Sequence, residues 1–141
     1  MIRIELERKW GDYGFEARDA QNHHMALDTS LDNGGVNAGI RPMQSLLMAL
    51  GGCSGIDVVS ILKKQRQTIS HFTMQIVGER EPGAIPSLWK SVHVVFQLTG
   101  AIDEEKARKA CALSVEKYCS VAETLRRAGA AITWEVRVER L

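Results

Sequence analysis

The first ten residues alternate apolar and polar side chains, a period of two that predicts a half-buried β-strand. "MIRIELERKW" places Ile2, Ile4 and Leu6 on one side of a strand and charged residues on the other. The turn-forming sequences "GDYG" and "DAQN" separate this strand from two further short strands, at 15–18 and 23–28. The chain is therefore expected to open with a three-stranded meander.

The segment from Pro42 to about Gln65 predicts one long helix. Proline suits the first helical turn, where its missing N–H group costs nothing, and the polar sequence "KKQRQ" ends the segment. The apolar residues between them fall on nearly every side of the helix: Leu46, Leu47, Leu50, Ile56, Val58, Val59, Ile61 and Leu62. A helix that is apolar almost all round is expected to be buried on most sides.

Three alternating segments in the second half predict further strands, around residues 72–76, 92–98 and 132–138. Two helices are predicted between the last two strands. Asp103 is placed to cap the first helix, and "SVAE" has the Ser-x-x-Glu pattern of a capping box, with Ser120 as the N-cap of the second.

The predicted order is β-β-β-α-β-β-α-α-β, which indicates an α+β fold with mainly antiparallel sheets in a single domain, residues 1–141. A composition of 45% hydrophobic and 25% charged residues is typical of soluble globular proteins. The net charge of +1 gives no reason to expect nucleic acid or an anionic membrane as a partner. We recognise neither a secretory signal nor a run of about 18 apolar residues, so a cytoplasmic protein is expected.

The stretch "ALGGCSGIDVV" (Ala49–Val59) interrupts the long helix with small and polar residues. Each glycine in a helix interior costs about 1 kcal/mol relative to alanine, so Gly51 and Gly52 require a compensating interaction. Two explanations are open. Another helix or a symmetry-related copy packs closely here, or a ligand must approach Cys53.

Cys53 and Asp57 lie four residues apart, and therefore on the same face of the predicted helix. A free cysteine most often behaves as a small buried apolar residue, whereas a buried carboxylate needs polar partners. Asp57 can cap a loop, pair with an arginine or orient a catalytic group, and a structural hydrogen bond to the backbone is the commonest of these arrangements.

Cys119 immediately precedes Ser120, so the positive end of the last helix dipole favours its thiolate. This effect is worth about 0.3–1 kcal/mol, less than one pKa unit, and a nearby cation is needed to ionise the thiol at neutral pH. Arg41, which precedes the long helix, is the first candidate for that cation. The alternative is that Arg41 is a solvated loop residue.

The third thiol and the histidines carry no predicted chemistry. Cys111 lies on the apolar stripe of the second helix, where core packing is expected. His23 and His24 are neighbours on a strand and point to opposite faces, while His71 and His93 lie on polar faces of separate strands. Because no C-x-x-C or H-E-x-x-H spacing occurs, neither a metal nor a bound cofactor is expected.

Two segments resemble the OsmC/Ohr family, which comprises osmotically inducible protein C and the organic hydroperoxide resistance proteins. They are "RPMQSLLMALGGCSGIDVVSILKK" (Arg41–Lys64) and "VEKYCSVAETL" (Val115–Leu125). The first carries a cysteine after Gly-Gly on a long helix, and the second carries a cysteine at the start of a late helix. The predicted order of elements matches that family over essentially the whole chain. Within the family, the local sequence is closer to a less characterised OsmC-like branch.

The resemblance implies an intertwined homodimer in which the sheets wrap around long central helices and two active sites lie at the subunit interface. It also implies reduction of organic hydroperoxides, with Cys53 as the peroxidatic thiol and Cys119 as the resolving thiol. An external dithiol reductant is then expected to restore the reduced pair.

One departure from the family bears on this activity. Family peroxidases keep a glutamate just after the proline that opens this helix, paired with an arginine that activates the reactive thiol. Here Met43 and Gln44 occupy those positions, and Gln44 can form a hydrogen bond but not an ion pair. Arg18 in the N-terminal strands is a further candidate for the arginine.

The expected function is therefore thiol-dependent reduction of organic hydroperoxides, part of an oxidative stress response. The missing glutamate motivates an alternative, a non-catalytic dimer that binds a small apolar or thiol-reactive ligand at the subunit interface. A third hypothesis is a purely structural or interaction dimer, in which both glycines serve helix contact.

Overall fold

The computed structural model describes all residues, Met1–Leu141, and confirms the predicted α+β order of elements. It contains two three-stranded sheets and three α-helices. The chain divides into two compact units, Met1–Leu46 and Leu47–Leu141. The single domain over residues 1–141 stays a prediction.

The first unit contains the expected meander of antiparallel strands. These are β1 (Glu5–Trp10), β2 (Gly14–Arg18) and β3 (His24–Leu27), and β2 lies between the other two. The tight turns between them fall at the two sequences that predicted them, because glycine and asparagine tolerate positive φ there: Gly11 has φ 60° and Asn22 has φ 66°.

The loop that comes after the meander is organised around Asp28, which is only 2% exposed. Its carboxylate accepts hydrogen bonds from the backbone N–H groups of Thr29, Val36 and Ala38, at 2.7–3.0 Å. The bond from Ala38 is the main cause that holds the pKa of Asp28 below its ordinary value, and burial opposes it. The loop leading to the long helix is therefore fixed by one buried anion.

The remaining elements occur in the predicted order. They are α1 (Pro42–Lys64), β4 (Thr68–Arg80), β5 (Trp89–Ala101), α2 (Glu104–Leu113), a π-helical turn (Ser114–Tyr118), α3 (Ser120–Arg127) and β6 (Ala131–Arg140). Strand β5 lies at the centre of its sheet, antiparallel to β4 and parallel to β6. A parallel pair needs a crossover connection, which α2 and α3 supply.

The core of the second unit matches the alternation of β5. Val92, Val94, Phe96 and Leu98 are all 1% exposed or less, which confirms the predicted apolar face. Phe96 packs against Phe72 of β4, with ring centroids 6.3 Å apart. The apolar faces of the flanking strands β4 and β6 are half-buried.

The predicted N-cap of α2 is confirmed, and a glycine follows the end of α3. Asp103 accepts a hydrogen bond from the N–H of Lys106 at 3.0 Å and so caps α2. Gly129 lies just beyond the end of α3 with φ 107°, a left-handed conformation that glycine adopts without steric cost.

The prediction that α1 is buried on most sides is wrong for the single chain. Leu46, Met48, Ile56 and Val59 are between 36% and 73% exposed. An 18-residue window of the helix has a mean hydropathy of 1.8 and is 28% buried, so by length and composition it could cross a membrane. A single helix of this kind is weak evidence for a membrane span, because the core helix of a soluble protein can have the same length and composition. The other face packs on the sheet and buries residues such as Leu50 and Val58.

Candidate active site

Two thiols that are remote in sequence meet in the second unit. Helix α1 carries Cys53 and, one turn on, Asp57. Cys119 stands at the start of α3. One sulfur atom from each cysteine and one carboxylate oxygen of Asp57 all lie within 4.8 Å of one another. The structure thus brings together three of the residues that the sequence singled out.

The position of Cys119 is set by the backbone on both sides of it. The π-helical turn ends at Cys119, whose N–H donates to the carbonyl oxygen of Ser114 at 2.8 Å. Cys119 is itself the N-cap of α3, with an extended backbone, and its Sγ accepts from the N–H of Ala122 at 3.4 Å. The prediction of Ser120 as the N-cap is wrong by one residue, because sulfur performs the role that a serine oxygen usually has.

Two buried serines connect the thiol-bearing segments, and sequence reasoning missed both. The hydroxyl of Ser54 donates to Cys119 Sγ at 3.5 Å. The hydroxyl oxygen of Ser114 lies 3.0 Å from Asp57 Oδ2 and 3.3 Å from the carbonyl oxygen of Ser54. The available signal was a serine at a core position of each helix, since buried hydroxyls need partners.

Burial controls the ionisation of Cys119. The thiol is 2% exposed, and loss of solvent is the main cause that raises its pKa above the ordinary value. The neighbouring thiol of Cys53 raises the pKa further, while hydrogen bonds from Ser54 and Ala122 oppose the shift. The start of α3 acts in the expected direction, because the N–H of Ala122 lowers the pKa, but desolvation outweighs it and the net shift is upward.

The partner of Asp57 is a side chain, so the expectation of a hydrogen bond to the backbone is wrong. The hydroxyl of Ser114 donates to its carboxylate, and this bond joins α1 to the π-helical turn. Both residues adjoin the thiols, so Asp57 belongs to the site.

The two supporting residues predicted near the start of α1 have other surroundings. The guanidinium of Arg41 donates to the carbonyl oxygen of Gly39 at 2.9 Å and to Asn37 Oδ1 at 2.8 Å. Gln44 is exposed on the first turn of the helix. Their support of the thiol chemistry stays a prediction.

Cys111 is a core residue, as expected. It is fully buried on α2, and burial raises the pKa of its thiol to about 12, with the charge of Arg108 opposing the shift. A thiol that remains protonated and inaccessible is chemically inert, so Cys111 is a natural control for the other two.

The glycines of α1 face two different surfaces. A Cβ atom at Gly51 would lie 2.8 Å from Ile76 Cδ1, and one at Gly55 would lie 2.9 Å from Met74 Cε, so these two glycines allow α1 to approach β4 closely. A Cβ atom at Gly52 would meet nothing within 4 Å. Gly52, together with Gly51 and Gly55, lines a groove of about 620 Å³.

The groove lies along the exposed face of α1 and is almost entirely apolar. Ile56 and Val59 of the helix and Phe72 of β4 contribute to its lining, and Lys63 and Lys64 stand at the C-terminal end of the helix. Gly52 is the residue before Cys53 on the helix, but Cys53, Asp57 and Cys119 are not among the residues that line the groove.

Comparison with known proteins gives a family match for most of the chain. Residues 34–135, more than two thirds of the chain, match the family described as OsmC-like protein. The chain belongs to the OsmC-like family. Protein YhfA of Escherichia coli K12 is 40% identical to this OsmC-like chain over 127 residues, which cover 89% of this chain and 91% of YhfA.

Solved structures share the OsmC-like fold over nearly the full length. A hypothetical protein from Aquifex aeolicus superposes with a TM-score of 0.81 at 28% identity, covering 99% of this chain and 98% of that one. A protein from Legionella pneumophila, described as an organic hydroperoxide resistance protein OsmC, superposes with a TM-score of 0.72. Its identity is 13% with 96% of each chain covered, and at that level the likeness shows the fold alone.

Proposed function

We propose that this OsmC-like protein is a thiol peroxidase that reduces organic hydroperoxides, with Cys53 as the peroxidatic thiol and Cys119 as the resolving thiol. The observation that supports this most is the meeting of both sulfur atoms within 4.8 Å. Two of the structural neighbours are described as organic hydroperoxide resistance proteins from Legionella pneumophila and Bacillus subtilis, which agrees with that chemistry.

The unequal burial of the two thiols supports this assignment of roles. Cys53 is half-buried, whereas Cys119 is 2% exposed, so a peroxide reaches Cys53 first. The Cys53 thiolate attacks the O–O bond, the bond breaks, and the sulfur becomes a sulfenic acid while the leaving alkoxide takes a proton from water. The raised pKa of Cys119 keeps the second thiol protonated and unreactive until that point.

The second step joins the two sulfur atoms. The sulfenic acid of Cys53 condenses with the Cys119 thiol, which forms a disulfide and releases water. A disulfide has an S–S length of about 2.05 Å, so the sulfurs must approach by less than about 3 Å from their present positions. An external dithiol then reduces the disulfide and is itself oxidised.

The apolar groove favours an organic hydroperoxide over hydrogen peroxide as substrate. Its lining of Gly52, Ile56, Val59 and Phe72 suits a hydrocarbon tail, whose burial is favourable by about 25 cal/mol per Å². A tail lying there would extend from the turn of α1 that carries Cys53.

Mass spectrometry of the treated protein tests the proposal. Cumene hydroperoxide added in equimolar amount should make the intact protein lighter by two hydrogen atoms, and digestion should yield a Cys53–Cys119 linked peptide. Addition of a dithiol should restore the mass and sustain turnover. A product in which Cys53 is oxidised but never linked to Cys119 contradicts the two-thiol mechanism.

We also propose that the protein is a homodimer, built on the exposed face of α1. That face leaves Met48, Ile56 and Val59 in solvent in the single chain, a cost that a second copy removes, and a substrate tail in the groove would then lie between the two copies. The resemblance to OsmC/Ohr proteins favours the same arrangement, with the long helices of two copies at the centre. A cytoplasmic location suits the mechanism, because thiols are kept reduced there.

Replacing Gly52 by leucine should break this dimer without unfolding the chain. A side chain at Gly52 meets nothing within 4 Å of the single chain, but it fills the space that a second copy needs. Sedimentation at micromolar concentration should give a dimer for the wild type and a monomer for Gly52→Leu.

Lys109→Leu is the matched control, because it adds the same side chain to the exposed face of α2. It should remain dimeric. A monomeric wild-type protein, or a Gly52→Leu variant that dimerises as tightly as the wild type, contradicts the proposed interface.

A second candidate function is non-catalytic binding of a small apolar or thiol-reactive ligand. The observation that favours it is the pair Met43–Gln44, which supplies no carboxylate at the start of α1. Titration of the thiols with a chromogenic disulfide across pH separates the two functions. If Cys53 reacts no faster than an ordinary thiol of pKa about 8.5, the binding function is favoured over catalysis.

A further inference from the structure

The two thiols and the carboxylate form a compact set of three metal-ligand atoms. Cys53 Sγ, Cys119 Sγ and one oxygen of Asp57 lie within 4.8 Å of one another, on two segments that are far apart in sequence. Motif spacing could not reveal this set, because such motifs place ligands close together along the chain. We propose that the reduced site binds one Zn²⁺ ion through these three residues.

The distances suit a tetrahedral zinc centre. Zn²⁺ binds thiolate at about 2.3 Å and carboxylate oxygen at about 2.0–2.2 Å, which separates two sulfur ligands by about 3.8 Å. Atoms already within 4.8 Å reach this geometry when each moves by less than about 1 Å. Cys53 is half-buried and so keeps one side open for a water molecule as the fourth ligand.

The chemical types of the donors select the metal. Two sulfur atoms disfavour Mg²⁺ and Ca²⁺, which prefer oxygen ligands throughout, while a carboxylate beside them disfavours the softer Cu⁺. Zn²⁺ accepts both types, and three protein ligands with one open position are a common zinc arrangement.

Hydrogen bonds already surround the proposed ligands. The hydroxyl of Ser114 donates to Asp57 Oδ2, which orients the carboxylate, and a carboxylate has further lone pairs that can bind a metal ion. Cys119 Sγ accepts from the Ser54 hydroxyl and from the N–H of Ala122, and both bonds stabilise a bound thiolate. These outer contacts are what a zinc site needs besides its direct ligands.

Metal binding and peroxide reduction exclude each other at this site. Each thiol loses its proton to the buffer as its sulfur binds Zn²⁺, and no electron is transferred. While the ion is bound, neither sulfur is free to attack a peroxide. Once Cys53 and Cys119 form a disulfide, two of the three ligands are lost and the ion must leave.

The experiment uses the full-length protein, freshly reduced with a phosphine and freed of metal. Co²⁺ serves as the spectroscopic probe, and Zn²⁺ affinity is measured by competition with a chromogenic chelator. One Co²⁺ per chain is expected, with a sulfur-to-metal charge-transfer band and the strong visible absorption of a tetrahedral site. Added Zn²⁺ should remove both signals.

Three variants test the ligand set. Ser114→Ala should weaken Zn²⁺ binding by about 10–100-fold, the usual effect of losing an outer hydrogen bond. Asp57→Asn should weaken it at least as much, and Cys53→Ser should also reduce the charge-transfer band. Cys111→Ser is the matched control and should bind as the wild type does. Circular dichroism checks that each variant is folded.

The outcomes separate this site from the proposed peroxidase. Wild-type protein that binds Co²⁺ without a charge-transfer band, or folded Asp57→Asn that binds Zn²⁺ as tightly as the wild type, overturns the zinc site. Disulfide formation by the metal-free protein is measured in parallel. Zinc binding without peroxide-driven disulfide contradicts the peroxidase alone, and disulfide formation without zinc binding contradicts the zinc site alone.

Discussion

Cys53→Ser is expected to abolish hydroperoxide reduction, lowering kcat/KM for cumene hydroperoxide by roughly 10³-fold or more, as removal of an enzyme's nucleophile does. The serine hydroxyl is nearly isosteric with the thiol, but it does not ionise near neutral pH and cannot form a sulfenic acid. The measurement is peroxide consumption coupled to a dithiol reductant. Turnover at the wild-type rate would falsify the assignment of the nucleophile.

The other two cysteines provide matched controls for this result. Cys111→Ser should retain the wild-type rate, because Cys111 is sealed in the core and its thiol stays protonated. Cys119→Ser should react once with peroxide and accumulate a sulfenic acid on Cys53, detectable with a dimedone reagent. Full turnover by Cys119→Ser in the presence of dithiol would show that the second thiol does not resolve the first.

Phe96→Ala is expected to lower the free energy of unfolding by about 3–5 kcal/mol, the usual cost of truncating a buried phenylalanine. Phe96 is fully buried on the central strand and packs against Phe72. Phe72 in turn lies 3.9 Å from the Cβ position of Gly55, so the lost ring removes support from the helix that carries Cys53. Urea unfolding followed by circular dichroism measures the change.

Two variants show whether the loss comes from the cavity. Phe96→Leu keeps most of the volume and should lose clearly less than Phe96→Ala. Val77 of β4 is 55% exposed, so Val77→Ala should change the free energy of unfolding by no more than about 0.5 kcal/mol. Equal losses for Phe96→Leu and Phe96→Ala would contradict the packing argument.

Short-range patterns predicted the elements of this fold well. The alternation of Val92, Val94, Phe96 and Leu98 marked a buried strand face, because neighbouring side chains on a strand point to opposite sides whatever the rest of the chain does. Asp103 marked a helix start, and this signal is also local, because a cap bonds to a backbone group only three residues away.

Patterns at longer range were less informative. The apolar residues of α1 indicated a helix, but they could not show that Ile56 and Val59 stay exposed in the single chain, because that depends on which face the sheet covers. The pairing of β5 with β6 is parallel, and only the crossover through α2 and α3 decides this.

The candidate site also contains residues that the sequence identified and residues that only the tertiary structure revealed. The sequence identified Cys53, Asp57 and Cys119 as unusual residues, since each breaks the local pattern around it. It could not supply Ser54 and Ser114, whose hydroxyls become part of the site only when α1 and the π-helical turn are packed together.

The sequence by itself determined the positions of the helices and strands, because these depend on local periodicity. It also identified the two thiols, the carboxylate and the family, because these depend on short motifs. The tertiary structure alone decided that the three groups share one site, that Cys119 is the buried cap, and that burial raises the pKa of its thiol. Ionisation depends on the solvent and dipoles around an atom, and those come from segments distant in the chain.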